Sequence, residues 1–91
     1  MSNQKKITIY KKFQEEFSID ESAIINAENL HLELLGKTPF KYESFYLIAA
    51  VCLYAISHSI PKKITLEDIE KVSHIKKEEI EKCYKLVLEI E

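Results

Sequence analysis

The stretch FYLIAAVCLYAI, residues 45–56, carries no charged side chain and is apolar in all directions around a helix. Its twelve residues are too few for a membrane span, which needs about 20. A buried β-strand is the alternative structure for such a run, but its length and the adjacent Ala49 and Ala50 favour a helix. Because a helix that is apolar all round must be surrounded by protein, the sequence predicts a central buried helix over about residues 43–58.

Four further helices are predicted to pack around this central helix. Apolar residues recur with helical spacing over about residues 5–17, 21–35, 66–72 and 77–89. Ser18 or Asp20 can cap the second helix of the chain, and Gly36 fits the position just after its C-terminus. One Gly and two Pro provide few turns, and 91 residues make one domain. We therefore expect a single all-α domain of five helices over residues 1–91.

The last two predicted helices are joined by a short turn, residues 73–76, as in a helix-turn-helix. Thr65 and Asp68 have the spacing of a capping box at the start of the first of these helices. Glu70 replaces the small residue that usually lets the two helices approach, and His74 replaces the Gly that tolerates a positive φ in the turn. The sequence thus predicts a C-terminal helix-turn-helix, with an ordinary helical hairpin as the alternative. Apolar residues stand where the motif anchors its first helix, locks its turn and seats its recognition helix: Ile69, Ile75, Ile80 and Cys83.

The charge pattern argues against a domain that binds nucleic acid by bulk charge. The 13 basic residues are all Lys, the acidic residues number 15, and the formal net charge is −2. Arg, the residue best suited to paired readout of guanine or phosphate, is absent. The motif therefore resembles the scaffold of a DNA reader with a poor reading face, and a solvated surface is the alternative. The outward residues of the last helix are Lys76, Lys77, Glu78, Glu79, Glu81 and Lys82.

Two stretches resemble the cyclin-like repeat of transcription factor IIB and of its archaeal counterpart. Residues 48–57, IAAVCLYAIS, are similar to the family's alanine-rich central helix, which ends in an aliphatic residue, Tyr, two small or apolar residues and Ser. Residues 63–69, KITLEDI, with Ile80 and Tyr84, are similar to the segment in which a basic residue and Thr open a short helix before the recognition helix. The resemblance implies a five-helix cyclin-like domain with a role in transcription. It also implies TATA-binding protein and RNA polymerase as partners, because the family contacts both.

A few positions depart from the family's pattern. Glu81 stands just after Ile80, where the family commonly has Arg, and Val51 and Ile56 replace small residues. One repeat is present, and the Cys residues of a zinc ribbon are absent. We therefore expect a stand-alone relative or a repurposed interaction module rather than a complete initiation factor.

Two hypotheses for the function follow. In the first, a transcription-associated module binds DNA, alone or with help, much as the last two helices of the family's second repeat enter the major groove beside the TATA element. In the second, the same fold binds proteins without intrinsic affinity for DNA. A homodimer is one form of the second hypothesis, since a lone repeat lacks its usual neighbour and exposes an apolar face. The DNA hypothesis requires one continuous basic surface, for which the candidates are Lys62, Lys63, Lys76, Lys77, Lys82 and Lys85.

Catalysis and metal binding are not expected. His31, His58 and His74 are spread along the chain, and a single Gly leaves no oxyanion-binding loop, so we predict no enzyme, no cofactor and no metal site. His58 is interpreted as the end of the central helix and His74 as a turn residue. Cys52 and Cys83 lack the CxxC spacing and are predicted to be buried thiols, which favours a reducing compartment. With no apolar stretch at the N-terminus, we expect a cytoplasmic protein that is associated with the nucleoid if it binds DNA.

Overall fold

The computed structural model describes residues 2–37, 40, 43–61 and 63–90, and the side chains of residues 9–37, 40, 43–61 and 63–89. The described residues form five helices and no strand, which confirms the predicted all-α fold. The helices are α1 (Ser2–Phe17), α2 (Glu21–Leu35), α3 (Phe45–Ser57), α4 (Leu66–Ser73) and α5 (Lys77–Ile90). None of the helices in this part of the chain combines the length and the hydropathy that crossing a bilayer requires.

Helix α3 is the centre of the bundle, as predicted. It packs against each of the other four helices. Its six consecutive residues from Ile48 to Leu53 have no exposed surface. The prediction that the whole apolar run is surrounded is wrong at its ends, because Tyr46 is 38% exposed and Ile56 is only partly buried. A tyrosine is tolerated at the edge of a core because its hydroxyl can reach water.

The ends of the helices differ from the predicted ones for local reasons. The central helix begins at Phe45 rather than near 43, because the Ser44 side chain accepts a hydrogen bond from the Leu47 amide at 3.0 Å and so caps it. α1 begins at Ser2 rather than near 5, since residues 2–4 include no Pro or Gly that would stop a helix. The ends of α4 and α5 agree with the prediction to within one residue.

The turn between α1 and α2 corrects the predicted cap of the second helix. Asp20 occupies the N-cap position of α2, but its side chain makes no capping hydrogen bond. Ser18 instead closes α1: its φ is 51°, and the amide of the next residue, Ile19, donates to the carbonyl oxygen of Gln14 at 3.2 Å. This is the pattern of a Schellman motif, with Ser18 at the left-handed position where Gly is commonest. Gly36 follows α2 as predicted, at a φ of −85° that any residue can adopt.

A buried polar contact joins α1 to α2. The Tyr10 hydroxyl and the His31 Nδ1 lie 2.7 Å apart and share a hydrogen bond, although both side chains are buried. The His31 ring also lies against the Phe45 ring, with 4.3 Å between the ring centres. Burial, together with the nearby Cys52 thiol, raises the pKa of Tyr10 far above its ordinary value, so the hydroxyl stays protonated. The hydrogen bond and the ring contact together fix the relative positions of α1, α2 and α3 inside the core.

The remaining core residues include both cysteines. Cys52 and Cys83 are free and buried, as predicted. Burial raises the pKa of the Cys52 thiol to about 12 and that of Cys83 to about 11, so both remain neutral thiols near neutral pH. Phe40, in the connection between α2 and α3, is also completely buried. The sequence pattern provided no reason to place Phe40 in the core, because it lies outside the helices.

The buried contact between Tyr10 and His31 can be tested by removing one hydroxyl group. We expect Tyr10→Phe to lower the free energy of unfolding by about 1–3 kcal/mol, because Nδ1 loses this hydrogen bond inside the core. Tyr46→Phe is the matched control, since this tyrosine is exposed and its change should stay within about 0.5 kcal/mol. Urea denaturation followed by circular dichroism measures both. Equal effects of the two substitutions would show that the contact adds no stability.

Candidate helix-turn-helix interface

Helix α4 starts with the capping box that the sequence predicted. The Asp68 amide donates to the Thr65 Oγ1 at 3.1 Å, and the Thr65 amide donates to the Asp68 Oδ2 at 3.1 Å. The amides of Thr65 and Asp68 are thus both satisfied by side chains. The hydrogen bond from the Thr65 amide lowers the pKa of the Asp68 carboxyl, so this box holds its charge at neutral pH.

The turn between α4 and α5 has the backbone conformation that the motif needs. His74 has φ 64° and ψ 23°, in the left-handed region where the motif usually places Gly. Its amide donates to the Glu70 carbonyl oxygen at 2.8 Å, which closes the end of α4. Ile75 follows, partly buried against the core, and its amide donates to the Ser73 Oγ at 3.2 Å. The predicted roles of His74 and Ile75 as turn residues are confirmed.

The structure shows the role of Glu70, which stands where the motif usually has a small residue. Its carboxylate Oε2 accepts a hydrogen bond from the Lys77 amide, the first residue of α5, at 3.4 Å. A carboxylate at this place complements the positive end of the helix dipole and caps an amide that has no partner within the helix. The side chain that replaces the usual small residue between α4 and α5 therefore links the two helices. The apolar skeleton beneath is in place, with Ile69 and Ile80 completely buried.

Lys77 is engaged in an ion pair within the chain. Its Nζ lies 3.0 Å from the Glu67 Oε2 across the two helices. The hydrogen bond from Lys77 lowers the pKa of Glu67, and the same contact raises the pKa of Lys77. Around this pair lies a cleft of about 260 Å³ between α4 and α5, which we call the α4–α5 cleft. It is lined by Leu66, Glu67, Lys77, Glu78 and Glu81.

The six lysines that the DNA hypothesis requires differ in their exposure and in the carboxylates near them. Lys62 lies outside the described residues. Lys77 is partly buried and paired with Glu67. Lys82 lines a groove next to Glu43 and Glu79, on the side of α5 away from the α4–α5 cleft. Four of the six are exposed: Lys63, Lys76, Lys82 and Lys85.

The exposed side of α5 mixes charges of both signs. Glu78 is four residues before Lys82, Glu81 is four residues before Lys85, and all four side chains are exposed, as predicted for the outward face. Residues 76–89 contain four Lys and four Glu, so their net charge is zero. Exposed acidic and basic side chains therefore lie side by side on this part of α5.

An aromatic cluster at the C-terminal end of α3 was missed by the sequence analysis. The Tyr54 and Tyr84 rings are 4.9 Å apart edge to face, and the His58 ring is stacked on Tyr84 at 5.6 Å. His58 Nδ1 donates to the Tyr54 carbonyl oxygen at 2.8 Å, so His58 ends α3 as predicted. The spacing of four residues between Tyr54 and His58 was the available signal, but the contribution of Tyr84 from α5 depends on the tertiary fold. The cluster locks α5 onto the central helix.

The described residues bring together no three His, Cys, Asp or Glu side chains that could hold a metal ion. The described residues instead form a module with exposed helix surfaces. It consists of five helices, of which the central one is buried, and it ends in a helix-turn-helix. This arrangement is consistent with a cyclin-like repeat.

The family model of the transcription factor TFIIB repeat matches residues 4–90. The chain therefore belongs to the TFIIB repeat family, of which it contains a single repeat. Comparison with curated proteins and with solved structures gave no match. Repeats of this family are modules of transcription initiation factors and are not catalytic. The resemblance seen in the sequence and the prediction that the chain is not an enzyme are both confirmed by this match.

The left-handed conformation of His74 predicts that a change to Gly raises the stability at this position, whereas the same change lowers it at His58. We expect His74→Gly to raise the free energy of unfolding by about 1 kcal/mol, because it relieves the left-handed conformation of a residue with a Cβ. His58→Gly is the control: its φ is −75°, so Gly should lower stability there by at least about 0.5–1 kcal/mol. Urea denaturation of both variants measures this difference. A loss of stability in His74→Gly would show that the left-handed conformation of His74 carries no cost that Gly relieves.

Proposed function

We propose that this repeat acts in transcription initiation as a protein-binding module, and that it binds another protein of the initiation machinery through the α4–α5 cleft. The observation that supports this most is the charge of the cleft. Glu67, Glu78 and Glu81 line it around one cation, Lys77, whose charge is already paired with Glu67. The cleft therefore carries an excess of negative charge next to the apolar side chain of Leu66.

Such a surface favours a protein partner over a phosphate backbone. A DNA-binding helix gains affinity by releasing the counterions of the phosphates that its cations neutralise. Here the turn and α5 have no net charge over residues 76–89, and phosphates near the cleft would meet Glu78 and Glu81. A protein that presents Lys or Arg beside an apolar side chain would complement both the carboxylates and Leu66. TATA-binding protein and RNA polymerase, which the family generally binds, are the first partners to test.

The proposal predicts that reversing the charge of the cleft weakens binding. We expect Glu78→Lys combined with Glu81→Lys to weaken binding to purified TATA-binding protein or RNA polymerase at least about tenfold. The measurement is biolayer interferometry with nuclease-treated partners from the same organism. Glu15→Lys combined with Glu16→Lys makes the same change in net charge at exposed positions of α1, and should leave binding unchanged. The proposal fails if neither partner binds, or if the α1 variant is weakened as much.

Direct contact with DNA is the second candidate. It is favoured by the completed turn geometry and by the exposure of Lys63, Lys76, Lys82 and Lys85. In this case a protein partner holds the repeat near the duplex, and the lysines add phosphate contacts of modest strength. The candidate requires that Lys76→Ala combined with Lys82→Ala weakens duplex binding, since both side chains are exposed. It is abandoned if the affinity is unchanged.

A further inference from the structure

Helix α2 carries a line of side chains that nothing in the described fold covers. Ile25 is 46% exposed, Leu32 is 55% exposed and Leu35 is 39% exposed, although the opposite side of the helix packs on α3 and α1. Large apolar residues that share one exposed strip of a helix mark a candidate interaction surface, whereas apolar residues scattered singly do not. The buried side of α2 consists of other residues: Ala23, Ile24, Ala27, His31 and Leu34.

The exposed line has the spacing of a coiled-coil seam. Glu21, Ile25, Glu28, Leu32 and Leu35 follow one another at intervals of four, three, four and three residues. This alternation keeps one strip of a helix facing a partner helix, with each side chain inserting between those of the partner. We call these five residues the α2 seam. Its apolar members are the three exposed residues described above, and its polar members are two glutamates.

The charge of α2 identifies the kind of partner. The helix contains three Glu and neither Lys nor Arg. Glu21 and Glu28 belong to the seam, and Glu28 lies at its middle and is partly buried. The third, Glu33, lies beside the seam and is 3.9 Å from the Lys37 Nζ just beyond the helix. A helix that binds here must therefore bring apolar side chains to the aliphatic members of the seam and a cation to Glu28, since charges in helix pairs select partners in this way.

A second copy of the chain does not meet this requirement. In an antiparallel pair of α2 helices, Glu28 would face an aliphatic or acidic residue of the other copy, because α2 contains no Lys or Arg that could meet it. Parallel pairing brings Glu28 and Glu21 each against its own copy. Like charges facing each other in a seam are strongly unfavourable. The geometry thus disfavours the homodimer that a lone repeat suggested, at least through this helix.

We propose that the α2 seam is a docking site for a basic amphipathic helix of another protein, with a Lys or Arg facing Glu28. The site lies on a different helix from the α4–α5 cleft and does not depend on the function proposed for that cleft. It would allow one small repeat to contact two proteins at once. Recognition would follow the mode in which a helix lies along a complementary apolar strip, with anchors spaced three, four and seven residues apart.

The test uses two synthetic peptides, each about three heptads long and monomeric at the concentrations used. Both carry Leu at the seam positions, and they differ only in having Lys or Glu at the positions that face Glu21 and Glu28. Titration of the isotopically labelled chain, followed by two-dimensional NMR, should show the Lys peptide binding at least about tenfold more tightly than the Glu peptide. The shifted signals should centre on Ile25, Leu32 and Leu35.

Three variants make the result specific. Leu32→Ser should weaken binding of the Lys peptide about tenfold. Leu88→Ser should not weaken it, because Leu88 is 57% exposed but lies on α5, away from the seam. Glu28→Lys should reverse the preference, so that the Glu peptide binds more tightly. Because these side chains are exposed or partly exposed, the variants should keep the thermal stability of the parent chain.

The proposal is overturned if neither peptide binds, if Leu88→Ser weakens binding as much as Leu32→Ser, or if Glu28→Lys keeps the preference for the Lys peptide. It is also overturned if sedimentation equilibrium shows a dimer at neutral pH that Leu32→Ser dissociates, because the seam would then belong to a second copy.

Discussion

The burial of α3 is the constraint on which the rest of the structure depends. Six consecutive residues, Ile48 to Leu53, have no contact with solvent, so protein must surround this helix on every side. Burying a large aliphatic side chain contributes about 1.5–3 kcal/mol, and a domain of this size has little stability to spare. Each of the other helices is consequently positioned by the face that it turns toward α3. The helix-turn-helix is held in the same way, since α4 and α5 both pack on α3.

The features that depend on a periodic pattern of apolar residues could be predicted from the sequence. The apolar run identified the central helix, and the spacing of Ile69, Ile75 and Ile80 identified the helix-turn-helix, because both depend on periodicity within a short segment. The features that were missed depend on residues that meet only in the folded chain. The pairing of Lys77 with Glu67 and the cap that Glu70 gives to α5 cross from one helix to another. Two residues that depart from the motif in sequence, Glu70 and His74, proved to be structural parts of it.

In this repeat, the residues that build the fold differ from the surface residues that select binding partners. The TFIIB repeat fold supplies a helix-turn-helix, yet the residues on its outer side set its partners, as is general for folds that serve several functions. Acidic side chains line the α4–α5 cleft and also the α2 seam, on helices that all pack on α3. Both surfaces combine carboxylates with exposed or partly exposed aliphatic groups. If both proposals hold, one small repeat contacts two proteins at once.

We infer that the helix-turn-helix of this repeat is a protein-binding rather than a DNA-binding surface. The most direct test is the salt dependence of binding to a random-sequence duplex, followed by fluorescence anisotropy. If the exposed Lys63, Lys76, Lys82 and Lys85 each neutralised a phosphate, a plot of log affinity against log salt would have a slope of about −3.6. A protein-binding surface should bind the duplex too weakly to measure at physiological salt, with a slope shallower than about −1 where binding is seen at low salt. Measurable affinity with a slope of about −3 or steeper would contradict this inference.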